Sequence, residues 1–145
     1  MNVKVDDSEI RKKISNLTKK LLPELLREGM KRACIICETE AKRNCPKDDG
    51  TLRASITHDV EELGTGVVGY IGTNVEYAPY VHQGTGIYAV NGDGRKEVPW
   101  RYQTADGQWH TTSGQKPQPF LQDAIAAKQG EVLEAFRAAD IWGVE

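Results

Sequence analysis

Two cysteines three positions apart are the residues best suited, by type and spacing, to do chemistry. Cys34-Ile35-Ile36-Cys37 has the C-x-x-C spacing of redox dithiols and of zinc-ligand pairs. Zinc needs a second pair of ligands, and Cys45 is a lone third cysteine. The pair falls among apolar residues in the middle of a predicted helix. We therefore interpret both thiols as small hydrophobic side chains of the core.

A glycine pattern between residues 64 and 69 matches a nucleotide-binding motif. Gly64-Thr65-Gly66-Val67-Val68-Gly69 reads G-x-G-x-x-G, which binds a pyrophosphate only where a strand leads into a helix. Here the residues that follow the first glycines are β-branched and aromatic, which favours a strand. The pattern is therefore interpreted as the turn of a β-hairpin.

The remaining titratable residues form no catalytic signature. His58, His82 and His110 are scattered without metal-ligand spacing, and no serine lies in a nucleophile elbow. The paired carboxylates Asp48-Asp49 and Glu61-Glu62 fall at predicted turns and are interpreted as solvated charge. The sequence thus predicts a protein that is not an enzyme, with no catalytic residue, no cofactor and no metal site.

The composition predicts one domain spanning residues 1–145, with 39% hydrophobic and 28% charged residues. No apolar run reaches the roughly 20 residues of a membrane helix, and no apolar signal core is present near residue 1. We therefore expect no membrane partner and a chain that stays inside the cell that makes it. Residues 1–43 hold eleven Lys/Arg against seven Asp/Glu, and the rest holds eight against fourteen. Attraction to DNA is thus not expected to be its main role.

Helical periodicity dominates the first third of the chain. A helix is predicted from near Asp7 to about Leu21, and a second from about Leu22 to Arg43, with a single kinked helix as the alternative because of Pro23. One apolar stripe recurs every three or four residues in the second helix. It comprises Leu22, Leu26, Met30, Ala33, Cys37 and Ala41.

Four strands are predicted beyond Gly50. They cover Leu52–Glu61, where apolar and polar residues alternate, then Val67–Gly72, Val98–Gln103 and a short stretch around Trp109. A short helix or structured loop is predicted over Asn74–Gln83, and a final helix begins near Pro119 with an apolar stripe that reaches Ala139. The predicted fold class is α+β: a mostly antiparallel four-stranded sheet packed against a long N-terminal helix and a C-terminal helix. A long Gly-rich loop is predicted at about residues 84–97.

An aromatic-rich segment ends in the hinge Gly84-Thr85-Gly86. Tyr77, Tyr80 and Tyr88 lie beside this hinge. Glycine adopts backbone angles closed to other residues. Large amphipathic rings are favoured where one protein docks on another. The segment therefore predicts a protein–protein interface.

A second aromatic group comprises Trp100, Tyr102 and Trp109, with Arg101 beside the first two. We rank packing of a small sheet face first, an interface second and base stacking last, because basic residues are sparse around it. The alternative function kept open is a small nucleic-acid-binding module that uses the basic N-terminal helix and the Trp100–Tyr102 cluster.

Three motifs occur together in one order. They are Pro46-x-x-x-Gly50-x-Leu52-x-x-Ser55-Ile56, Tyr77-Ala78-x-Tyr80-Val81-x-x-Gly84-Thr85 and Pro117-x-Pro119-Phe120-Leu121-x-x-Ala124. Their order and spacing resemble those of the tail-completion, or head–tail joining, proteins of long-tailed bacteriophages and prophages. The resemblance covers roughly residues 30–139.

The resemblance implies a non-enzymatic subunit of the virion neck, assembled in the cytoplasm of the bacterial host. Its implied partners are further copies of itself in a hexameric ring, the head connector (stopper) and the tail-tube or tail-terminator proteins, with DNA only as passing cargo. The expected contact residues are Tyr77, Tyr80, His82, Gly84, Thr85, Gly86, Tyr88 and Trp100. The expected structural residues are Pro46, Gly50, Leu52, Ile56, Pro117, Pro119 and Phe120.

Overall fold

The structure is a computed structural model that describes residues 7–47, 50–64 and 66–137. It begins with a helical run in three parts: α1 (Ser8–Asn16), a π-helical segment (Leu17–Leu21) and α2 (Leu22–Asn44). The chain therefore stays helical across Pro23. Proline has no N–H to donate and its ring crowds the carbonyl four residues earlier. The wider π turn immediately before Pro23 relieves that crowding.

The segment after Gly50 is helical where a strand is predicted. Gly50 adopts a left-handed φ of 79° and is the N-cap of α3 (Thr51–Ser55), and β1 begins only at Thr57. Leu52 and Ile56 are buried, but Ala54 between them is exposed. The strand prediction from Leu52 is wrong because residues four apart share a helical face as well as a strand face.

Two separate two-stranded sheets follow, in place of the predicted four-stranded sheet. β1 (Thr57–Leu63) pairs with β2 (Gly66–Gly72). β3 (Trp100–Gln103) pairs antiparallel with β4 (Trp109–Thr112). Helix α4 (Ala78–Gln83) and a 3₁₀ turn (Gly86–Tyr88) lie between β2 and β3 in the chain. Each strand is hydrogen-bonded to its neighbour in sequence, so the α+β class is confirmed with a different sheet arrangement.

The last helix is broken in two. α5 (Phe120–Ala127) follows Pro119, its N-cap, and α6 (Gln129–Glu134) follows Lys128, whose φ and ψ of −107° and 12° leave the helical region. Gly130 also weakens a helix by about 1 kcal/mol relative to alanine. The predicted continuous stripe is therefore interrupted, and its end at Ala139 lies outside the described residues.

The chain forms two compact units, and the prediction of one domain over residues 1–145 stays a prediction. The first comprises Met1–Ile36, His58–Tyr70 and Gln129–Glu145. Within it, helix α2 meets the hairpin and the C-terminal segment at glycines. A Cβ at Gly69 would lie 2.8 Å from Met30 Sδ, and one at Gly29 would lie 2.8 Å from Phe136 Cε1. Both positions therefore depend on glycine for close packing.

The second unit comprises Cys37–Thr57 and Ile71–Lys128 and has its own apolar cluster. Phe120 is 2% exposed and lies at its centre, and α3 contributes Leu52 and Ile56. A hydrogen bond of 2.5 Å joins the Ser55 and Thr73 hydroxyl groups and fixes the end of α3. The other buried members are Ala41, Cys45, Ala78 and Ala124, with Ile71, Val75, Val81 and Leu121 packed against them.

Phe120→Ala should lower the free energy of unfolding by about 3–5 kcal/mol, because it removes a fully buried ring and leaves a cavity. Ile125→Ala, on the same helix but 49% exposed, is the matched control and should change it by less than about 1 kcal/mol. Urea denaturation followed by circular dichroism measures both. Equal effects of the two variants would contradict the described core.

Asp106, in the turn between β3 and β4, has a lowered pKa because it accepts a hydrogen bond from the Thr104 hydroxyl and a second from the Gln108 N–H. A lowered pKa means that the turn is stabilised while the carboxylate is ionised, and that this stabilisation is lost as the pH falls through the folded-state pKa. Thr104→Val should raise the pKa of Asp106 towards its ordinary value. A carboxyl-carbon NMR titration measures it, with Thr111→Val as a control that should leave it unchanged.

Candidate partner-docking site

The aromatic segment predicted to form an interface folds around helix α4. Tyr77 is its N-cap and Pro79 lies in its first turn, where the missing N–H of proline costs no helical hydrogen bond. Gly84 ends the helix with a φ of 79°, a backbone angle that favours glycine. This cap turns the chain directly into the hinge Gly84-Thr85-Gly86.

The hinge is held against the segment Ser113–Gln115 by two backbone hydrogen bonds and one to a side-chain hydroxyl. Thr85 N–H donates to the Gln115 carbonyl at 2.9 Å, and Gln115 N–H donates to the Thr85 hydroxyl, also at 2.9 Å. Ile87 N–H donates to the Ser113 carbonyl at 3.2 Å. The segment expected to be a Gly-rich loop is therefore pinned at its start to a stretch almost thirty residues further along the chain.

This crossing is too close for side chains. A Cβ at Gly84 would lie 2.8 Å from the Gln115 carbonyl oxygen, and a Cβ at Gly86 would collide with the Ser113 carbonyl oxygen. Gly86 also has a φ of +61°. Both glycines are buried. Two independent constraints, space and backbone angle, therefore require glycine at these positions.

A groove of about 360 Å³ opens beside the hinge. Five of the residues predicted to contact partners line it: Tyr80, Gly84, Thr85, Gly86 and Trp100. Asp93, Gly94 and Arg95 also line it, and the Arg95 guanidinium is 5.3 Å from the centre of the Trp100 ring. A cation over an aromatic face is attracted to it and holds both groups in place. The groove thus combines aromatic surface with charges of both signs.

A neighbouring groove of about 390 Å³ shares Glu76, Pro79 and Gln83 with the first. His82 lines it, with its ring edge-on to Phe120 at a centroid distance of 5.5 Å. The His82 Nε2 atom is buried and has no hydrogen-bond partner among the described residues. A buried polar atom without a partner carries a desolvation cost that a docking group with a donor or acceptor would remove.

Exposure separates the three tyrosines. Tyr80 is 64% exposed at the groove, whereas Tyr77 and Tyr88 are about 40% exposed and lie outside the lining of both grooves. Ile87 and Val90 add exposed apolar surface next to the hinge. The structure therefore brings Tyr80, the hinge and Trp100 together in one groove, whereas Tyr77 and Tyr88 do not line it.

The second aromatic group is divided between two faces of the β3–β4 hairpin. Tyr102 pairs with His110 and stacks on it at a centroid distance of 5.4 Å. The Arg101 guanidinium lies 5.1 Å from the centre of the Trp109 ring. Arg101 and Trp109 are each one residue away from the Tyr102–His110 pair along their strands, and neighbouring residues of a strand point to opposite faces of the sheet. The prediction that Trp100, Tyr102 and Trp109 form one cluster is therefore wrong: Trp100 and Tyr102 share one face, whereas Trp109 pairs with Gln103 and lies on the other.

Three of the predicted structural residues belong to the core of the second unit, and two others cap helices. Leu52, Ile56 and Phe120 are buried in it, Pro119 caps α5, and Gly50 caps α3. Pro46 and Pro117 are half-buried.

No group of three or more His, Cys, Asp or Glu in the described residues is arranged to hold a metal ion. None of the described helices combines the length and the apolar composition that a membrane-spanning helix requires.

A family model for bacteriophage tail components matches residues 8–84, just over half of the chain. The family is HK97-gp10-like, described as "Bacteriophage HK97-gp10, putative tail-component". The chain belongs to this family. The match runs from the start of α1 to Gly84 and so includes the Tyr77–Thr85 motif up to its glycine. No curated protein and no solved structure matches the chain.

Membership of this phage tail family confirms the resemblance and gives the chain a structural role in the virion. The family match includes the groove residues from Glu76 to Gly84, and the rest of the groove lining, from Thr85 to Trp100, lies beyond it. Sequence reasoning missed Glu76, Asp93 and Arg95 as members of this site. For Arg95 the available signal was its position five residues before Trp100, close enough for a cation to reach the ring.

Gly86→Ala should destabilise the protein by more than about 3 kcal/mol, because it adds a backbone collision to the cost of a left-handed residue. Gly92→Ala is the matched control: its φ of +72° is similar, but no atom lies within 4 Å of the added Cβ. It should cost only about 1–2 kcal/mol. Urea denaturation measures both. A similar loss for both variants would mean that the crossing with Ser113 does not constrain the hinge.

Proposed function

We propose that this chain is a non-enzymatic structural protein of the head–tail interface of a long-tailed phage or prophage. Copies of it form a ring, expected to be hexameric, that completes the tail or joins it to the head connector and leaves a channel for DNA. The observation that carries the proposal is the match to a phage tail-component family over residues 8–84. The position at the neck rests on the three motifs, which resemble those of head–tail joining proteins.

The docking groove supports a role in protein–protein contact. It combines an exposed tyrosine, a tryptophan held by Arg95, and a hinge whose backbone is fixed by hydrogen bonds. Aromatic side chains and arginine are enriched at interfaces, and a rigid backbone lowers the entropy lost on docking. The groove therefore suits a segment of a neighbouring copy, of the stopper, or of the tail-tube or terminator protein.

The charge of the chain supports passage of DNA without retention. Each copy has a net charge of −2, so a ring of copies is acidic overall. Contacts between many Lys or Arg and phosphates give strong, salt-dependent binding that would hinder sliding. A neck ring with this charge is expected to bind DNA weakly, with little dependence on salt. The alternative nucleic-acid-binding function requires the opposite, a steep fall in affinity as salt rises.

The proposal is tested by adding the purified protein to heads and tails prepared without it and counting joined particles by negative-stain microscopy. Joined particles and rings of the protein alone are the expected result. A protein that neither joins the two parts nor blocks their joining would contradict the proposal. Titration of DNA binding against salt decides the alternative.

Tyr80→Ala should lower the yield of joined particles by about tenfold or more, because an exposed aromatic anchor is lost from the groove. Its stability should be nearly unchanged, since the side chain is mostly solvated. Tyr102→Ala is the matched control, because Tyr102 is also exposed but lies on the β3–β4 hairpin outside the groove lining. Equal loss of joining for the two variants would mean that the groove is not the docking site.

A further inference from the structure

The helical run Ser8–Leu21 presents an apolar stripe that nothing in the described residues buries. Ile10, Ile14, Leu17 and Leu21 recur every three or four residues and are 43–58% exposed. Neither α1 nor the π-helical segment contains a buried residue. Four large apolar side chains on one side of a helix form a continuous face, and such a face exposed to water is typical of an interaction surface.

The same run is strongly basic. Residues 8–21 contain five Lys or Arg and one acidic residue, Glu9. Lys13 lies three positions after Ile10 in α1, and Lys20 directly precedes Leu21 in the π-helical segment, so both border the apolar stripe. Two such helices placed side by side would repel each other. The surface that covers this helix must therefore be both apolar and acidic.

The β1–β2 hairpin of the chain carries a surface of that kind. Asp59, Glu61 and Leu63 alternate along β1 and are exposed, so they share the outer face of the strand. Tyr70 on β2 joins this face, because its hydroxyl donates to Glu61 Oε2 at 3.3 Å. Leu63 and Tyr70 are each about half exposed. The face thus offers two carboxylates beside two large apolar side chains.

We propose that the apolar, basic face of Ser8–Leu21 in one copy docks on the outer face of the β1–β2 hairpin of a second copy. In this contact Lys13 and Lys20 face Asp59 and Glu61, while the apolar stripe covers Leu63 and Tyr70. The inference rests on the proposed function as a self-assembling structural protein. Because the two surfaces differ, the contact is head-to-tail, and repeating it builds a closed ring or an open filament.

A second copy fits this helix better than a lipid or nucleic-acid surface does. Basic amphipathic helices also bind anionic membranes and DNA, through charge and burial of the apolar face. Neither ligand accounts for an acidic, partly apolar face on the same chain. Beyond residue 43 the chain has an excess of six acidic residues, whereas the first 43 residues have an excess of four basic ones. The chain thus carries both halves of a complementary pair.

The test is a charge-reversal cycle on the full-length protein, with self-association measured by sedimentation velocity over a range of concentrations. K13E/K20E should weaken self-association by about tenfold or more, and D59K/E61K should do the same, because like charges then face each other. Combining all four substitutions should restore most of the affinity. The matched control is K12E/K19E, which reverses the same number of charges one position earlier in each part of the run and should alter the affinity by less than about twofold.

Circular dichroism checks that each variant is folded. If K13E/K20E does not fold, K13Q/K20Q takes its place. K13Q/K20Q should weaken self-association less than K13E/K20E does but more than the control does. A wild-type protein that stays monomeric at every concentration would overturn the inference. So would a quadruple variant, K13E/K20E/D59K/E61K, whose self-association is no stronger than that of the double variants. Binding to phosphatidylserine vesicles or to DNA through Lys13 and Lys20, without self-association, would also overturn it.

Failure of this contact is distinguishable from failure of the proposed function. If K13E/K20E still forms rings and joins heads to tails as well as the wild type does, the helix-to-hairpin contact is wrong and the neck role stands. If the wild type self-associates through these residues but never joins heads to tails, the contact stands and the neck role is wrong.

Discussion

The crossing of the hinge Gly84-Thr85-Gly86 with Ser113–Gln115 is the constraint on which the docking site depends. Three hydrogen bonds, two of them between backbone groups and one to the Thr85 hydroxyl, close a loop of almost thirty residues there, and Gly84 and Gly86 make the close approach possible. Closing a long loop has an entropic cost that must be offset by such bonds and by burial at its base. The Val81 carbonyl adds a bond from Gln118 N–H at 3.0 Å, which brings the chain to Pro119 and so to Phe120 in the core. These hydrogen bonds link the groove lined by Tyr80 and Trp100 to the most buried side chains of its unit.

The sequence predicted the elements with strong periodicity and failed where two periods coincide. The buried half of α2, with Ala33, Cys37 and Ala41, follows its apolar stripe, and both thiols of the C-x-x-C pair are buried as expected. The hairpin after residue 57 is also as predicted. The strand over residues 52–56 was wrong because Leu52 and Ile56 fit both a helix and a strand, and only the exposure of Ala54 distinguishes them. The single four-stranded sheet was wrong, because alternation within a strand carries no information about which hairpins join into one sheet.

The candidate site was predictable only in part, because a sequence shows residue types but not which residues become neighbours in space. Tyr80, Gly84, Thr85, Gly86 and Trp100 were selected on residue type, and all five line one groove. Arg95, Asp93 and Glu76 were missed because charged residues in a loop look solvated until the fold brings an aromatic ring beside them. The division of the second aromatic group followed from a register that places Arg101 and Trp109 away from Tyr102. The family match reaches residue 84, so the groove combines residues inside the matched region with residues that follow it in the chain.

The π-helical segment before Pro23 lies between the proline and the apolar side chains of α1, and so joins the two parts of the helical run. A π turn holds one more residue than the α turn it replaces, and each residue advances an α-helix by about 100°. Deleting one residue between Leu17 and Leu21 would restore regular α geometry and leave the direction of Ile10 and Ile14 relative to α2 nearly unchanged, because the π turn and the shorter α turn both make one full turn. The inserted residue therefore accommodates Pro23 without changing the side on which the N-terminal arm presents its apolar residues. In related chains, we expect the two to be gained or lost together.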